Sequence, residues 1–154
     1  MDRVTPAQRS RNMSRVRGKD TGPELAVRRL AHRLGFRFRL HRKDLPGRPD
    51  LVFAKHRLVV FVHGCFWHRH EGCRRATRPS SRTDFWDAKF AATVARDAAQ
   101  RRMLEDAGWR VLTLWECEVK DEAFVAAALH ASTARSRKPT PADRAKRPTR
   151  PPPR

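Results

Sequence analysis

The sequence predicts an α/β fold in the order αβββαβ, closed by one more helix. Three observations carry this. Short strand-like runs, alternating or apolar throughout, occur at 36–40, 50–53, 58–62 and 110–115. Helical periodicity occupies 21–34, 83–107 and 121–134. Gly35, Pro46-Gly47 and Gly108 punctuate the junctions. Strands interleaved with helices on one small sheet give a layered α/β sandwich.

Met1 to Asp20 is polar and basic, with Arg3, Arg9, Arg11, Arg15, Arg17 and Lys19, and only Val4, Met13 and Val16 as a thin apolar face. Such a segment is a short helix or an arm that orders on nucleic acid. Thr21-Gly22-Pro23-Glu24 reads as a helix start. Thr21 caps, Glu24 three residues on completes a capping box, and proline is tolerated in a first turn. The helix is expected to run to Leu34, with Leu30 and Leu34 inward and Gly35 as the stop.

Phe36-Arg37-Phe38-Arg39-Leu40 alternates like a half-buried strand. Residues 41–48 form a loop with a Pro46-Gly47 turn. Asp50 to Phe53 is a short strand, and 54–57 reverses the chain. Leu58-Val59-Val60-Phe61-Val62 is apolar throughout, so both its faces are expected to be covered. Residues 64–82 show no period. Helical spacing returns from Thr83 to Ala107, with Phe85, Ala91, Val94, Ala98 and Leu104 as inward positions. Arg110 to Trp115 is the last strand, and Asp121 to Ala134 is an Ala-rich helix. Six of the eleven prolines follow Ser132, so a disordered Pro/Arg-rich tail is expected over 135–154. The chain divides into a basic arm (1–20), one domain (21–134) and that tail.

The net charge is +19, from 35 Lys and Arg against 16 Asp and Glu. Eight of the basic residues and one Asp lie beyond Ser132, which leaves +12 on the first 131 residues. The folded part is basic in its own right, and a polyanion is its natural partner. No apolar run approaches the ~18 residues of a membrane span, and the basic N-terminus lacks the apolar stretch of a secretory signal. A cytoplasmic protein is expected, where thiols stay reduced, and three cysteines do not make a disulfide framework.

Residues 63–73 concentrate the chemistry: three of the seven histidines and two of the three cysteines. Cys65, His70 and Cys73 are joined by Cys117 just beyond the last strand, a Cys3His set suited to tetrahedral zinc. His68 competes as a ligand, and His70 is preferred because it leaves His68 for chemistry. The plain alternative is three buried thiols. Asp50, at a strand start after Pro49, can hold Mg²⁺. Alone it reads as a turn residue. His63 and His68 at a strand end change that, since either can exchange a proton near neutral pH. Glu24 can reach the same place from the first helix. Phe66 and Trp67, in a loop, together with Trp86, suit apolar wedges that enter a base stack, though core packing is the commoner fate of aromatics. Together these features read as a metal-dependent phosphodiester-cutting site beside a structural zinc.

The chain resembles the very short patch repair endonucleases, which nick DNA beside a thymine–guanine mismatch. The resemblance rests on Arg9-Ser10-Arg11-Asn12-Met13, Leu45-Pro46-Gly47-Arg48-Pro49-Asp50, Phe61-Val62-His63-Gly64-Cys65-Phe66-Trp67-His68, Arg82-Thr83-Asp84-Phe85-Trp86, Gly108-Trp109-Arg110-Val111-Leu112 and Trp115-Glu116-Cys117. It implies a restriction-endonuclease-like core. It implies Mg²⁺ on Asp50 and the Val62 backbone carbonyl, and His68 as the acid/base residue, assisted by His63 and Glu24. It implies zinc on Cys65, His70, Cys73 and Cys117. It implies Phe66, Trp67 and Trp86 inserted from the major groove, with the N-terminal segment, Asn12 and Met13 included, on the minor-groove side. The substrate would be duplex DNA whose T:G mismatch arose by deamination of 5-methylcytosine, nicked 5′ to the thymine. A nucleoid-associated monomer is expected, with other repair proteins as candidate partners and no membrane.

Val62 stands where some relatives have Thr, Thr93 where many have Asn, and Glu71-Gly72 lengthens a spacer. The second catalytic strand reads Phe61-Val62-His63, without the Glu-x-Lys pair of related restriction folds, so the histidines must compensate. Two other readings fit part of the pattern: a zinc-stabilised nucleic-acid-binding module without catalysis, and a restriction-type enzyme of the same core.

Overall fold

A computed structural model describes residues 4–16 and 19–134. The expected disordered tail over 135–154, and residues 1–3 and 17–18 of the arm, lie outside the described residues.

The arm contains a helix, α1 (Pro6–Ser14), because Thr5 and Gln8 close a capping box at its start. No residue of α1 is buried, as its thin apolar face requires. Helix α2 (Gly22–Arg33) starts at Thr21, whose hydroxyl accepts from the Glu24 N–H. The expected second half of that capping box does not form. The Glu24 carboxylate reaches one residue further back, to the N–H of Asp20 at 2.9 Å. Val27, Leu30 and Ala31 are buried, whereas Leu34 is the exposed C-cap.

The sheet is mixed, in the order β1 (Arg39–Leu40), β2 (Leu51–Phe53), β3 (Leu58–His63), β4 (Arg110–Trp115). The first two pairings are antiparallel and β3–β4 is parallel. The 36–40 strand is paired only over its last two residues. His41 turns it off with φ +46°, while Phe36 and Phe38 pack against Phe53 at 5.6 and 5.7 Å. Between β2 and β3 a single 3-10 turn (Ala54–His56) and left-handed Arg57 set the hairpin register, Leu51 opposite Val60. The parallel β3–β4 pair needs a crossover, and α3 (Thr83–Asp106) supplies it.

Side chains alternate across the sheet with period two. Leu51, Phe53, Leu58, Val60 and Leu114 face α2 and α4 (Glu122–Ala134), where Val27, Leu30, Val125 and Leu129 complete one core. Val52, Val59 and Phe61 face the other way, onto Leu104 and Trp109. The chain is therefore an α/β sandwich with β3 covered on both faces, as its apolar run predicts. Truncating fully buried Leu58 or Leu129 to Ala is expected to cost about 2–5 kcal/mol.

The inward face of α3 differs from the expectation. Phe85, Ala91, Val94 and Ala98 are exposed, and of the expected positions only Leu104 is buried. The less exposed face is Trp86, Phe90, Thr93, Asp97, Gln100 and Leu104, at steps of four and three. Thr93, Asp97 and Gln100 interrupt its apolar stripe, which removes the hydrophobic period by which such a face is recognised.

Candidate active site

The hairpin register explains how Asp50 arrives. Leu51 pairs with Val60, so the residue before β2 lies beside the far end of β3. There the Asp50 Oδ2 accepts the Val62 N–H at 2.7 Å. Gly47, Arg48 and Pro49 steer the chain into that position. Gly47 has φ +74°, a left-handed backbone that calls for glycine, and a Cβ on it would have to displace the Gln100 side chain, whose Oε1 would lie 2.7 Å away. Burial, with Glu24 nearby, pushes the Asp50 carboxyl up to about 6, against the opposing pull of the Val62 N–H.

Across the same cleft lie the two imidazoles. His63 ends β3 and His68 follows on the loop, their rings stacked at 3.9 Å and inclined by 7°. His68 Nδ1 lies 2.6 Å from the Asp97 Oδ2 on α3. An ionised carboxylate only accepts, so Nδ1 donates to it, and in the neutral ring Nε2 is then the nitrogen with the lone pair. Burial, reinforced by neighbouring His68, pulls His63 down to about 4, so His63 is neutral at pH 7. The two histidines, equivalent in the sequence, are thereby distinguished. Asp50, Glu24, His63, His68 and Asp97 line one cleft of about 550 Å³, with Lys19, Lys43 and Arg48 also lining it.

The cysteine cluster follows from the parallel register. His63 is opposite Trp115. Cys65 and Cys117 each lie two residues beyond those positions, so the paired strands deliver two thiols side by side. His70 Nδ1 is 3.6 Å from the Cys65 Sγ and 3.3 Å from the Cys117 Sγ. With Cys73 all four ligand atoms lie within 4.8 Å of one another. Bonds of roughly 2.3 Å to sulfur and 2.0 Å to nitrogen at tetrahedral angles give an S···N edge of about 3.5 Å, so the four residues fit a tetrahedral metal. His70 stacks on Trp115 at 4.3 Å, and Trp115 meets His63 edge-on at 5.3 Å, so this cluster and the cleft share a wall.

Loop 64–82 is held besides by Arg69, which has φ +55°. Its guanidinium donates to the carbonyls of Phe66, Ala76 and Thr77 and lies 4.1 Å over the Phe90 ring. This props Phe66, Trp67 and Trp86 against one another, with centroids 5.1 to 5.9 Å apart, on a floor of buried Phe90. Exposed Phe85 joins Trp86 at 5.5 Å, and the Lys89 Nζ lies 5.5 Å from the Trp67 ring.

The model of the family described as DNA mismatch endonuclease Vsr matches residues 1–75. A nicking enzyme of Xanthomonas oryzae pv. oryzae, V.XorIIP, is 53% identical over 128 residues, 83% of this chain and 93% of the relative. The DNA mismatch endonuclease Vsr of Escherichia coli is 42% identical over 114 residues, 74% of this chain and 72% of that protein. A Neisseria meningitidis nicking enzyme, V.NmeAIP, is 41% identical over 123 residues, 80% of this chain and 87% of the relative.

The chain belongs to the Vsr family. It is accordingly a DNA endonuclease, and the resemblance drawn from its motifs holds. The residues matched by the Vsr model carry Asp50, His63, His68 and three members of the cysteine cluster. Asp97, Trp86 and Cys117 lie outside them and meet the rest only in three dimensions. The sequence brought no attention to Asp97, His41, Arg28 or Gln100. A helical Asp four residues after Thr93 carries no local signal; only its 2.6 Å contact with His68 does. Asn12 and exposed Met13 sit on α1, and the Thr93 hydroxyl is spent on the Lys89 carbonyl at 3.0 Å.

Proposed function

We propose that this chain nicks one strand of duplex DNA 5′ to the thymine of a T:G mismatch left by deamination of 5-methylcytosine, by Mg²⁺-dependent phosphodiester hydrolysis. The observation that carries the reading is the meeting of Asp50, His63 and His68 in one cleft, although they come from the turn before β2, the end of β3 and a loop. The fold is read as a restriction-endonuclease-like core over 21–134 with structural zinc on Cys65, His70, Cys73 and Cys117.

Asp50 and the Val62 backbone carbonyl would hold the Mg²⁺. A buried carboxylate with a raised pKa, next to a second acid, is an environment that a cation relieves. When bound, the ion supplies Lewis-acid polarisation of the phosphate and positive charge for the leaving oxygen.

His68 takes the proton of the attacking water on Nε2. Asp97 fixes the ring by its bond to Nδ1 and stabilises the imidazolium that forms. Neutral His63 stacks on that ring and keeps a second positive charge away from it. Lys19, Lys43 and Arg48 attract the DNA backbone to the cleft. Phe66, Trp67 and Trp86 form the wedge beside the mismatch, with Asn12 and Met13 on the opposite groove.

The test uses end-labelled duplexes with T:G, C:G or T:A at one position, in the methyltransferase site context, with Mg²⁺ or chelator. A single nick in the thymine strand of the T:G duplex, lost with chelator, is expected. Double-strand cuts in matched DNA would instead make this a restriction-type enzyme. Tight binding without cleavage would make it a binding module.

A further inference from the structure

Asp97 gives His68 one hydrogen bond, and one bond fixes a point of the ring but not its plane. An imidazole held only there can swing about that bond and carry Nε2 away from the cleft, because ring torsions are broad. The plane is set by His63, stacked on His68 at 3.9 Å and 7°. His63 has no polar anchor of its own. Among the described residues no protein group hydrogen-bonds its ring nitrogens, and its neighbours are the rings of Phe61, His68 and Trp115, at 5.6, 3.9 and 5.3 Å.

Of these three rings, His68 is the one to be positioned, and Phe61 lies tilted at 47° on the same strand. Trp115 stands at 73° to His63, directly opposite it in the parallel β3–β4 pair. Paired residues project from the same face of a sheet, here the face that α3 covers. Trp115 is itself firmly held. Its backbone N–H donates to the Glu118 carboxylate at 3.1 Å, and its carbonyl accepts from the N–H groups of Glu118 and Val119 at 2.8 and 3.2 Å. His70 covers one face of the indole at 4.3 Å and 8°. Stacked and edge-on contacts are the arrangements that aromatic pairs prefer. His70, Trp115, His63 and His68 thus run in series from the cysteine cluster to Asp97.

We propose that Trp115 is a positioning residue: its indole orients His63, and through that ring it sets the plane of His68. The inference rests on the reading of His68 as the group that takes the proton of the attacking water. Trp115 does not line the cleft that holds Asp50. It lies behind the stacked imidazoles, on a separate cavity of about 280 Å³ between α3 and β4. Its removal therefore acts on the rate of nicking and not on the affinity for DNA.

Three measurements on the full chain test this: single-turnover nicking of T:G duplex at saturating enzyme, duplex affinity in chelator, and the NMR cross-peak between the ring protons of His63 and His68. Trp115→Met keeps an apolar side chain and removes the ring, whereas Trp115→Phe keeps a ring. Trp115→Met slows nicking by about 10- to 100-fold, the scale of loss for a misplaced catalytic group. Its duplex affinity and zinc content stay within about twofold of the unaltered chain, and the cross-peak disappears. Trp115→Phe nicks within about fivefold of the unaltered chain and keeps the cross-peak. On a His63→Ala background Trp115→Met adds no further loss, because its effect passes through that ring.

A folded Trp115→Met chain that loses less than about tenfold, or that loses its zinc along with its rate, overturns the assignment. So do additive losses with His63→Ala, or an unaltered chain without the cross-peak. Trp115→Phe decides it alone if Trp115→Met does not fold, since a loss beyond about fivefold there means that a ring is not what the position needs. A His68→Ala chain that nicks at the parental rate sinks the reading of His68 instead, and the cross-peak then judges whether Trp115 orients the rings.

Discussion

His68 donates from Nδ1 to Asp97 across 2.6 Å, joining a loop to the middle of the crossover helix. That bond decides which imidazole nitrogen is available to a water. Replacing Asp97 with Asn keeps the shape but offers an amide that can turn its NH₂ to the ring and favour the other tautomer. Single-turnover nicking by Asp97→Asn is expected to fall by about 10²–10⁴-fold, the usual range for general acid–base help. Zinc content and thermal stability should stay within experimental error of the parent. A variant that nicks at the parental rate would remove Asp97 from the machinery.

The raised Asp50 pKa makes a stability prediction with a definite sign. The folded carboxyl titrates near 6, above its unfolded value, so the folded state holds the proton more tightly. The associated stability is present in full below the unfolded pKa and is lost as pH rises through about 6. With chelator at pH 8, Asp50→Asn should therefore melt higher than the parent, by the equivalent of at most about 3 kcal/mol. The gap should close below about pH 4, where the parental carboxyl is protonated in both states. Mg²⁺ should raise the parent's melting temperature and leave the variant's unchanged. A variant less stable than the parent at pH 8 would show that burial does not strain this carboxyl.

Much of the architecture was legible because it follows from local rules. β3 is apolar on both faces and is covered on both; Thr21 caps and Gly35 stops the first long helix. The cysteine set was legible from residue type, and the parallel register of β3 and β4 supplies the reason Cys117 joins it. What stayed hidden was polar and long-range. Asp97 and Gln100 occupy the inward face of α3, so the apolar spacing points instead to exposed Phe85 and Val94. Arg28 and His41 carry no local signal, and only the fold brings them to Glu24 and to each other.

Metal removal should uncouple binding from cutting. Loop 64–82 has few regular hydrogen bonds and is pinned by the cysteine cluster and Arg69, so His68 depends on both. One zinc per chain is expected by atomic absorption, and none in Cys117→Ser. The variant should lose nicking about as completely as His68→Ala, yet keep salt-sensitive binding to undamaged duplex, which depends on surface Lys and Arg. Full nicking by a zinc-free Cys117→Ser chain would mean that the cluster does not position the site.

The aromatic group gives the sharpest separation between affinity and chemistry. Phe66, Trp67 and Trp86 touch one another, and none contributes a polar atom to the cleft that holds Asp50 and His68. Stacking of a base on an aromatic ring is worth about 1–3 kcal/mol, so Trp67→Ala or Trp86→Ala should weaken binding to T:G duplex by roughly 10- to 100-fold. Binding to matched duplex should change little, because no step opens there to receive the ring. At saturating enzyme the nicking rate should recover part of the loss, unlike the rate of Asp97→Asn. Arg69→Met should imitate the wedge variants without touching a wedge residue, since it releases the Phe66 carbonyl and uncovers Phe90. Equal losses on matched and mismatched DNA would place these rings in general duplex binding, and discrimination of the mismatch would have to be sought elsewhere on the chain.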